Sequence, residues 1–237
     1  MANIIGIDLG TTYSAMARLD ENGTPLIVGN KEGEHLTPSI VEFTGKKSII
    51  VGKEAKKAWR IASKESREKD FAWDAKREIR INSDKTWKAF GQTHSPTSIS
   101  SLILKYLKDA FVDQHGEIDS AVITIPANFK NQAREATIEA ANKAGIPEVQ
   151  LIDEPTAAAF SYAFSSGERL NGNYVIYDLG GGTFDVSIAK IKGKDIKILG
   201  KEGLGELGGR DFDKALAEII IKKFKEETGK NLSEEAV

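Results

Sequence analysis

The apolar positions fall into short β-rich runs and longer stripes at helical spacing, and their order along the chain predicts most of its elements. Ile4-Ile5-Gly6-Ile7 runs into Asp8-Leu9-Gly10-Thr11-Thr12, and a second β-rich run leaves through Ala17 and Leu19. Tyr174-Val175-Ile176-Tyr177 runs into Asp178-Leu179-Gly180-Gly181-Gly182-Thr183, and Phe184-Asp185-Val186-Ser187 leaves. Each is an apolar strand, an Asp-Leu-Gly turn with small hydroxyl residues, and a returning strand, so two matched hairpins are predicted. Such a pair suggests an internal duplication.

Between and after them the pattern predicts short strands over 25–28, 39–43 and 49–51. A helix follows over 53–63, with Ala55, Ala58, Trp59 and Ala62 on one face. Residues 64–95 are charged and less periodic. Ser95-Pro96 opens a strong helix, Ser as N-cap and Pro in the first turn. Its stripe of Ile99, Leu102, Ile103, Tyr106, Leu107, Ala110 and Phe111 runs to Gly116. A buried-type strand over 121–125 precedes a helix over 131–144. Its small residues, Ala133, Ala136, Thr137, Ala140, Ala141 and Ala144, are expected to lie close on a sheet. A strand over 149–152 completes a right-handed parallel crossover. Glu154-Pro155 starts the next helix. Residues 167–173 are a polar break, followed by strands over 174–179, 184–191 and 195–201, the last two joined by Lys192-Gly193-Lys194. A helix over 210–228 carries Phe212, Ala215, Leu216, Ile219, Ile220 and Phe224 on one face. The fold class is therefore α/β, mixed sheets flanked by helices. Residues 1–167 are expected to form one lobe, with about 36–95 a small inserted subdomain, and 168–237 part of a second.

Composition narrows the function. The 237 residues suffice for a sizeable core. A net charge of −2 gives no electrostatic case for nucleic acid or an anionic membrane. There is no cysteine, which excludes disulfides and thiolate metal sites. No apolar run approaches membrane-spanning length, and Met1-Ala2-Asn3 passes into a strand without a signal-peptide pattern. A cytoplasmic protein is expected. His115, at a helix C-terminus, is expected to serve its last carbonyls; His35 and His94 are assigned no role.

The chemistry lies in the two turns. Glycines let backbone approach a ligand, and successive N–H groups in a tight turn form an anion-binding concavity. Carboxylates repel bare phosphate, so Asp8, Asp178 and Asp185 beside these turns imply a cation between, and Mg²⁺ suits them. Asp8 and Asp185 are the candidates for its shell, through water. The backbone of Gly10, Thr11, Thr12, Gly180, Gly181 and Gly182 would cradle phosphates. Asp178 is placed to orient or deprotonate an attacking water, and Thr183 to hydrogen-bond it or the γ-phosphate, in a transfer that needs positioning more than covalent chemistry.

Three segments carry a resemblance. Gly6-Ile7-Asp8-Leu9-Gly10-Thr11-Thr12-Tyr13-Ser14, Ile152-Asp153-Glu154-Pro155-Thr156-Ala157-Ala158-Ala159 and Asp178-Leu179-Gly180-Gly181-Gly182-Thr183-Phe184-Asp185-Val186 are similar to the signatures of the 70-kDa heat-shock chaperone (DnaK-like) family. Leu207-Gly208-Gly209-Arg210-Asp211-Phe212-Asp213 resembles a fourth. The resemblance implies an actin-like ATPase (ribonuclease H-like) fold, ATP/ADP and Mg²⁺ as cofactors, and hydrolysis coupled to peptide binding and release. It adds Tyr13 to the phosphate turn, makes Lys76, in Asp74-Ala75-Lys76-Arg77, the catalytic lysine, and makes Glu154 a residue that reaches the metal through water. Pro126 and Arg134 match positions that relay nucleotide state. Implied partners are extended peptide clients, a J-domain co-chaperone and a nucleotide-exchange factor. Differences stand at Asp153 (usually Asn), at Asn128 (commonly aromatic), at Glu206 and Arg210 (usually His and an acidic residue), and after Ile79, where the family's glycine is missing. In the family more of lobe II follows, with the residues that sandwich adenine, and then a peptide-binding domain. The chain is thus expected to hold lobe I complete, lobe II truncated and no peptide-binding domain, to bind ATP weakly, and to expose strand edge. An actin-like filament-forming ATPase is the alternative. Residues 152–159 and Lys76 favour the chaperone.

Overall fold

The computed structural model describes residues 3–82, 84–167, 170–193 and 195–232. The first hairpin forms as its pattern predicts. Strand β1 (Ile4–Asp8) pairs antiparallel with β2 (Tyr13–Leu19), which pairs with β3 (Pro25–Val28). A short β4 (Thr37–Pro38) joins β2 at Tyr13 and Ser14. Alternation puts Ile5 and Ile7 in the core, while Asp8 faces out on the other side of the sheet.

The insertion is more structured than its charge suggests. Strands β5 (Ile40–Gly45) and β6 (Ser48–Val51) and helix α1 (Lys53–Ile61) follow the pattern. Residues 64–95 then add α2 (Lys64–Asp70), β7 (Phe71–Trp73), α3 (Ala75–Ile81), β8 (Trp87–Ala89) and β9 (Gln92–His94). Strands β6, β5 and β7 make a small sheet. Val41, Phe43, Val51 and Ala72 share one continuous core with Ile5, Ile7 and Phe111, so the insertion is fused to the main sheet by packing.

Helix α4 (Pro96–His115) is the centre of that core. Ser95 caps it by accepting from the Ser98 amide at 3.2 Å, and Gly116 ends it at φ 85°. Ile99, Ile103, Leu104, Leu107 and Phe111 are buried along one side. Strand β10 (Ser120–Ile125), helix α5 (Asn131–Lys143) and β11 (Val149–Asp153) form the expected parallel crossover, giving the sheet order β11-β10-β1-β2-β3. The buried small residues of α5 include Ala140 and Ala141, which join the core around α4.

Helix α6 (Glu154–Ser166) ends at Gly167 in the left-handed region, φ 66°. The expected boundary at 168 lies outside the described residues. Strand β12 (Asn171–Leu179) begins within the predicted polar break, because Gly172 at φ 137° pairs with Ile191 and extends the ladder. It pairs with β13 (Phe184–Lys192), which pairs with β14 (Asp195–Leu204). Lys194, expected to join them, lies outside the described residues. This sheet has its own small core of Leu170, Ala189 and Ile191 against Ala159 of α6. Helix α7 (Gly209–Thr228) forms, but its apolar face is not covered: Phe212, Leu216, Ile219 and Ile220 are each more than half exposed.

Candidate functional site

The two hairpin tips meet. Strand β1 delivers Asp8 and Gly10, strand β12 delivers Asp178 and Gly180, and their turns touch through Thr12 and Gly181. A Cβ built on Gly181 would lie 2.0 Å from Thr12 Oγ1, so only glycine permits this approach. Each turn is closed internally: the Gly10 amide donates to Ser14 Oγ at 3.2 Å, and the Gly180 amide to the Thr183 carbonyl at 2.9 Å. The start of α7 is tied to the second turn, Gly209 N donating to Gly180 O at 2.9 Å and Arg210 N to Gly181 O at 3.0 Å.

Between the tips opens a cavity of about 730 Å³, within the usual size of a ligand pocket. Asp8, Gly10, Thr11, Thr12, Tyr13, Lys76, Glu154, Asp178, Gly180, Gly181 and Thr183 line it. The structure thus brings together the expected residues of both turns with Lys76 from α3 and Glu154 from α6. Two expected residues are elsewhere. Gly182 lies against the Thr11 methyl and Arg210. Asp185 does not line the cavity; it sits behind the turn, 8% exposed, and accepts from Arg80 and Asn128.

The electrostatics follow from this geometry. Lys76 Nζ donates to Glu154 Oε1, both side chains largely buried. Burial pushes the Glu154 carboxyl above its ordinary value, Lys76 pulls against it, and the Asp8 and Asp178 carboxylates add to the rise. Asp178 is raised too, first by desolvation, with Lys76 opposing and Asp185 and Asp8 reinforcing. Three carboxylates, Asp8, Glu154 and Asp178, and one ammonium, Lys76, in one cleft are a net negative group that a cation would relieve. Among the described residues, no three carboxylate or imidazole groups converge closely enough to hold a metal ion unaided.

Some contributors carried no signal in the sequence. Thr124 lines the cavity and donates to Asp8 Oδ1 at 2.8 Å. It is the parallel-register partner of Asp8, knowable only once β1 and β10 are paired. Arg210 pairs with Asp74, whose carboxyl is raised by burial against that pairing. Asp74 is itself in the left-handed region, φ 65°, where it starts α3 and aims Lys76 at the cleft. Arg134 pairs with Asp153 at 2.7 Å, and Pro126 ends β10, its carbonyl accepting from Phe129 N at 3.0 Å. His115 packs its ring on Phe111 at 5.0 Å, and His94 stacks on Phe43 at 4.5 Å.

Comparison with known proteins agrees with this arrangement. The family profile described as Hsp70 protein matches residues 4–237. The chaperone protein DnaK of Buchnera aphidicola subsp. Schizaphis graminum is 39% identical, across 100% of this chain and 40% of its own length. DnaK of Thermotoga maritima is 39% identical, across 98% of this chain and 38% of its own. That of Trieres chinensis is 35% identical, across 99% and 41% respectively. The chain therefore spans about two fifths of the length of these relatives.

Proposed function

We propose, since this chain belongs to the Hsp70 protein family, that it is the N-terminal part of a chaperone's ATPase domain, binding Mg-ATP between its two glycine turns. The observation that carries the reading is the contact of Thr12 with Gly181, which brings turns from two halves of the chain to one cavity. The residues present fit the ligand. Thr12 Oγ1 is buried without a hydrogen-bond partner, and backbone approaches the cavity bare of side chains at Gly10, Gly180 and Gly181. When bound, Mg²⁺ would neutralise the phosphates and the cleft carboxylates together. Asp8, oriented by Thr124, and Glu154, through water, are the residues that would hold it.

The remaining roles belong to the chain's own groups. Amides of the two turns bind phosphate oxygens. Lys76, held by Glu154, places positive charge where negative charge accumulates in phosphoryl transfer. Asp178, with a carboxyl raised towards the range useful to a base, accepts a proton from the attacking water. Thr183 donates to that water or to the phosphate. Residues 1–167 act as lobe I and 168–237 as part of lobe II. In the whole protein the hydrolysis would drive peptide binding and release in the cytoplasm, with J-domain and nucleotide-exchange partners. The relatives named are chaperones, which favours this reading over a filament-forming ATPase.

The test is phosphate release at millimolar Mg-ATP. Asp178→Asn is expected to slow it about 100-fold or more, the usual contribution of a general base, with little change in nucleotide affinity by calorimetry. Equal rates for the wild type and Asp178→Asn would refute the assignment.

A further inference from the structure

Asp185 is the one turn-flanking carboxylate that is fully enclosed. Arg80 Nη1 donates to Oδ2 and Nη2 to Oδ1, each at 3.1 Å, a fork matched to a fork. Asn128 Nδ2 donates to Oδ1 at 2.9 Å. Strand β14 covers another side with bare backbone: a Cβ on Gly203 would lie 2.1 Å from Asp185 Oδ1 and 2.9 Å from Asn128 Nδ2. The Arg80 and Asp185 side chains are 8% and 10% exposed. Arg80 comes from α3 and Asn128 from the loop before α5, and the two meet on a single carboxylate.

We infer that Asp185 in this chain is a structural anion, held by Arg80 and Asn128, and that it contributes nothing to the cation shell. The inference rests on the proposed polyphosphate–cation reading of the cleft. A carboxylate already paired with a guanidinium presents no net charge to a divalent ion. To recruit it, the ion would have to break two charge-assisted hydrogen bonds and leave a buried Arg80 unpaired, which costs more than an exposed pair would. The carboxylate work falls instead to Asp8 and Glu154, which line the cavity. The same knot ties α3, the loop before α5 and the β13–β14 pair together, so the two lobes are fastened here with no ligand needed.

Mn²⁺ binding in excess ADP, followed by electron paramagnetic resonance, tests the inference. Loss of a residue that supports a metal through an intermediary typically weakens it about 10–100-fold, and Asp8→Asn is expected in that range. Asp185→Asn is expected to stay within about twofold of wild type, well below the cost of losing a group that supports the metal. Arg80→Gln, which releases the carboxylate, is expected to tighten Mn²⁺. A loss in Asp185→Asn equal to that in Asp8→Asn would overturn the inference. Melting temperatures of Arg80→Gln, Asp185→Asn and the double variant give a readout without ligand. The double is expected to lose clearly less than the sum of the singles; additive losses would overturn the knot. If the wild-type chain binds no Mn²⁺ at any ADP concentration, the cation site itself is refuted, and the melting cycle alone decides whether Arg80 locks Asp185.

Discussion

Burial raises the Glu154 carboxyl, the Lys76 ammonium opposes that rise, and the Asp8 and Asp178 carboxylates add to it. A carboxyl whose folded pKa exceeds its unfolded value binds the proton more tightly in the native state. Its contribution to stability is full at low pH and is lost as pH rises through the folded pKa. Lys76→Met removes the one influence that lowers Glu154. Its ¹³C carboxyl midpoint is expected to move further above the ordinary 4.5, and stability to fall more steeply as pH rises from there. A midpoint that stays put or drops would show that Lys76 does not govern Glu154. Asp8 and Asp178 were legible in the sequence because each sits at the same place in a repeated turn, and Thr183 as the hydroxyl between Asp178 and Asp185. Thr124 and Arg80 were not. Their partners, Asp8 and Asp185, are 116 and 105 residues away, and only strand register and the fold of the insertion bring them together.

Elements were legible where several local signals agreed. Helix α4 had a capping serine, a proline in its first turn, an apolar stripe over 20 residues and a terminal glycine, and all four features are in place. Residues 64–95 gave no such agreement. Helices α2 and α3 have seven residues each and β7 three, too short to show a period. In α7 the period was correct, yet burial did not follow from it, since an apolar stripe specifies a partner surface without supplying one. The contrast predicts unequal costs. Phe111, 1% exposed in α4, should lose about 3–5 kcal/mol as Phe111→Ala in denaturant unfolding. Leu216, 57% exposed in α7, should lose no more than about 0.5 kcal/mol as Leu216→Ala. Equal losses would mean that α7 is packed in solution.

At the scale of the molecule, the two sheets have separate cores and are joined mostly by polar contacts: Arg80 with Asp185, Arg210 with Asp74, and Lys201 with the Ala127 carbonyl. The sheet of β12, β13 and β14 is covered on the side of α6 only. Val175 and Tyr177 on its other side are 69% and 67% exposed, and β12 and β14 are its two edges. Open edges with apolar neighbours invite pairing between chains. Size-exclusion elution should therefore shift to larger species with concentration, and Tyr177→Lys should suppress the shift. Elution as a monomer at every concentration would contradict this. The ion pairs that join the two sheets had no local pattern to mark them, because they depend on tertiary placement alone.

Both turns should bind one ligand, and backbone amide spectra can follow each turn separately. In ¹⁵N-labelled protein titrated with ADP and Mg²⁺, the amides of Thr11 and Thr12 and those of Gly181 and Thr183, all lining the cavity, should shift together along one binding curve. Shifts confined to one turn, or two curves with different midpoints, would contradict a shared phosphate site.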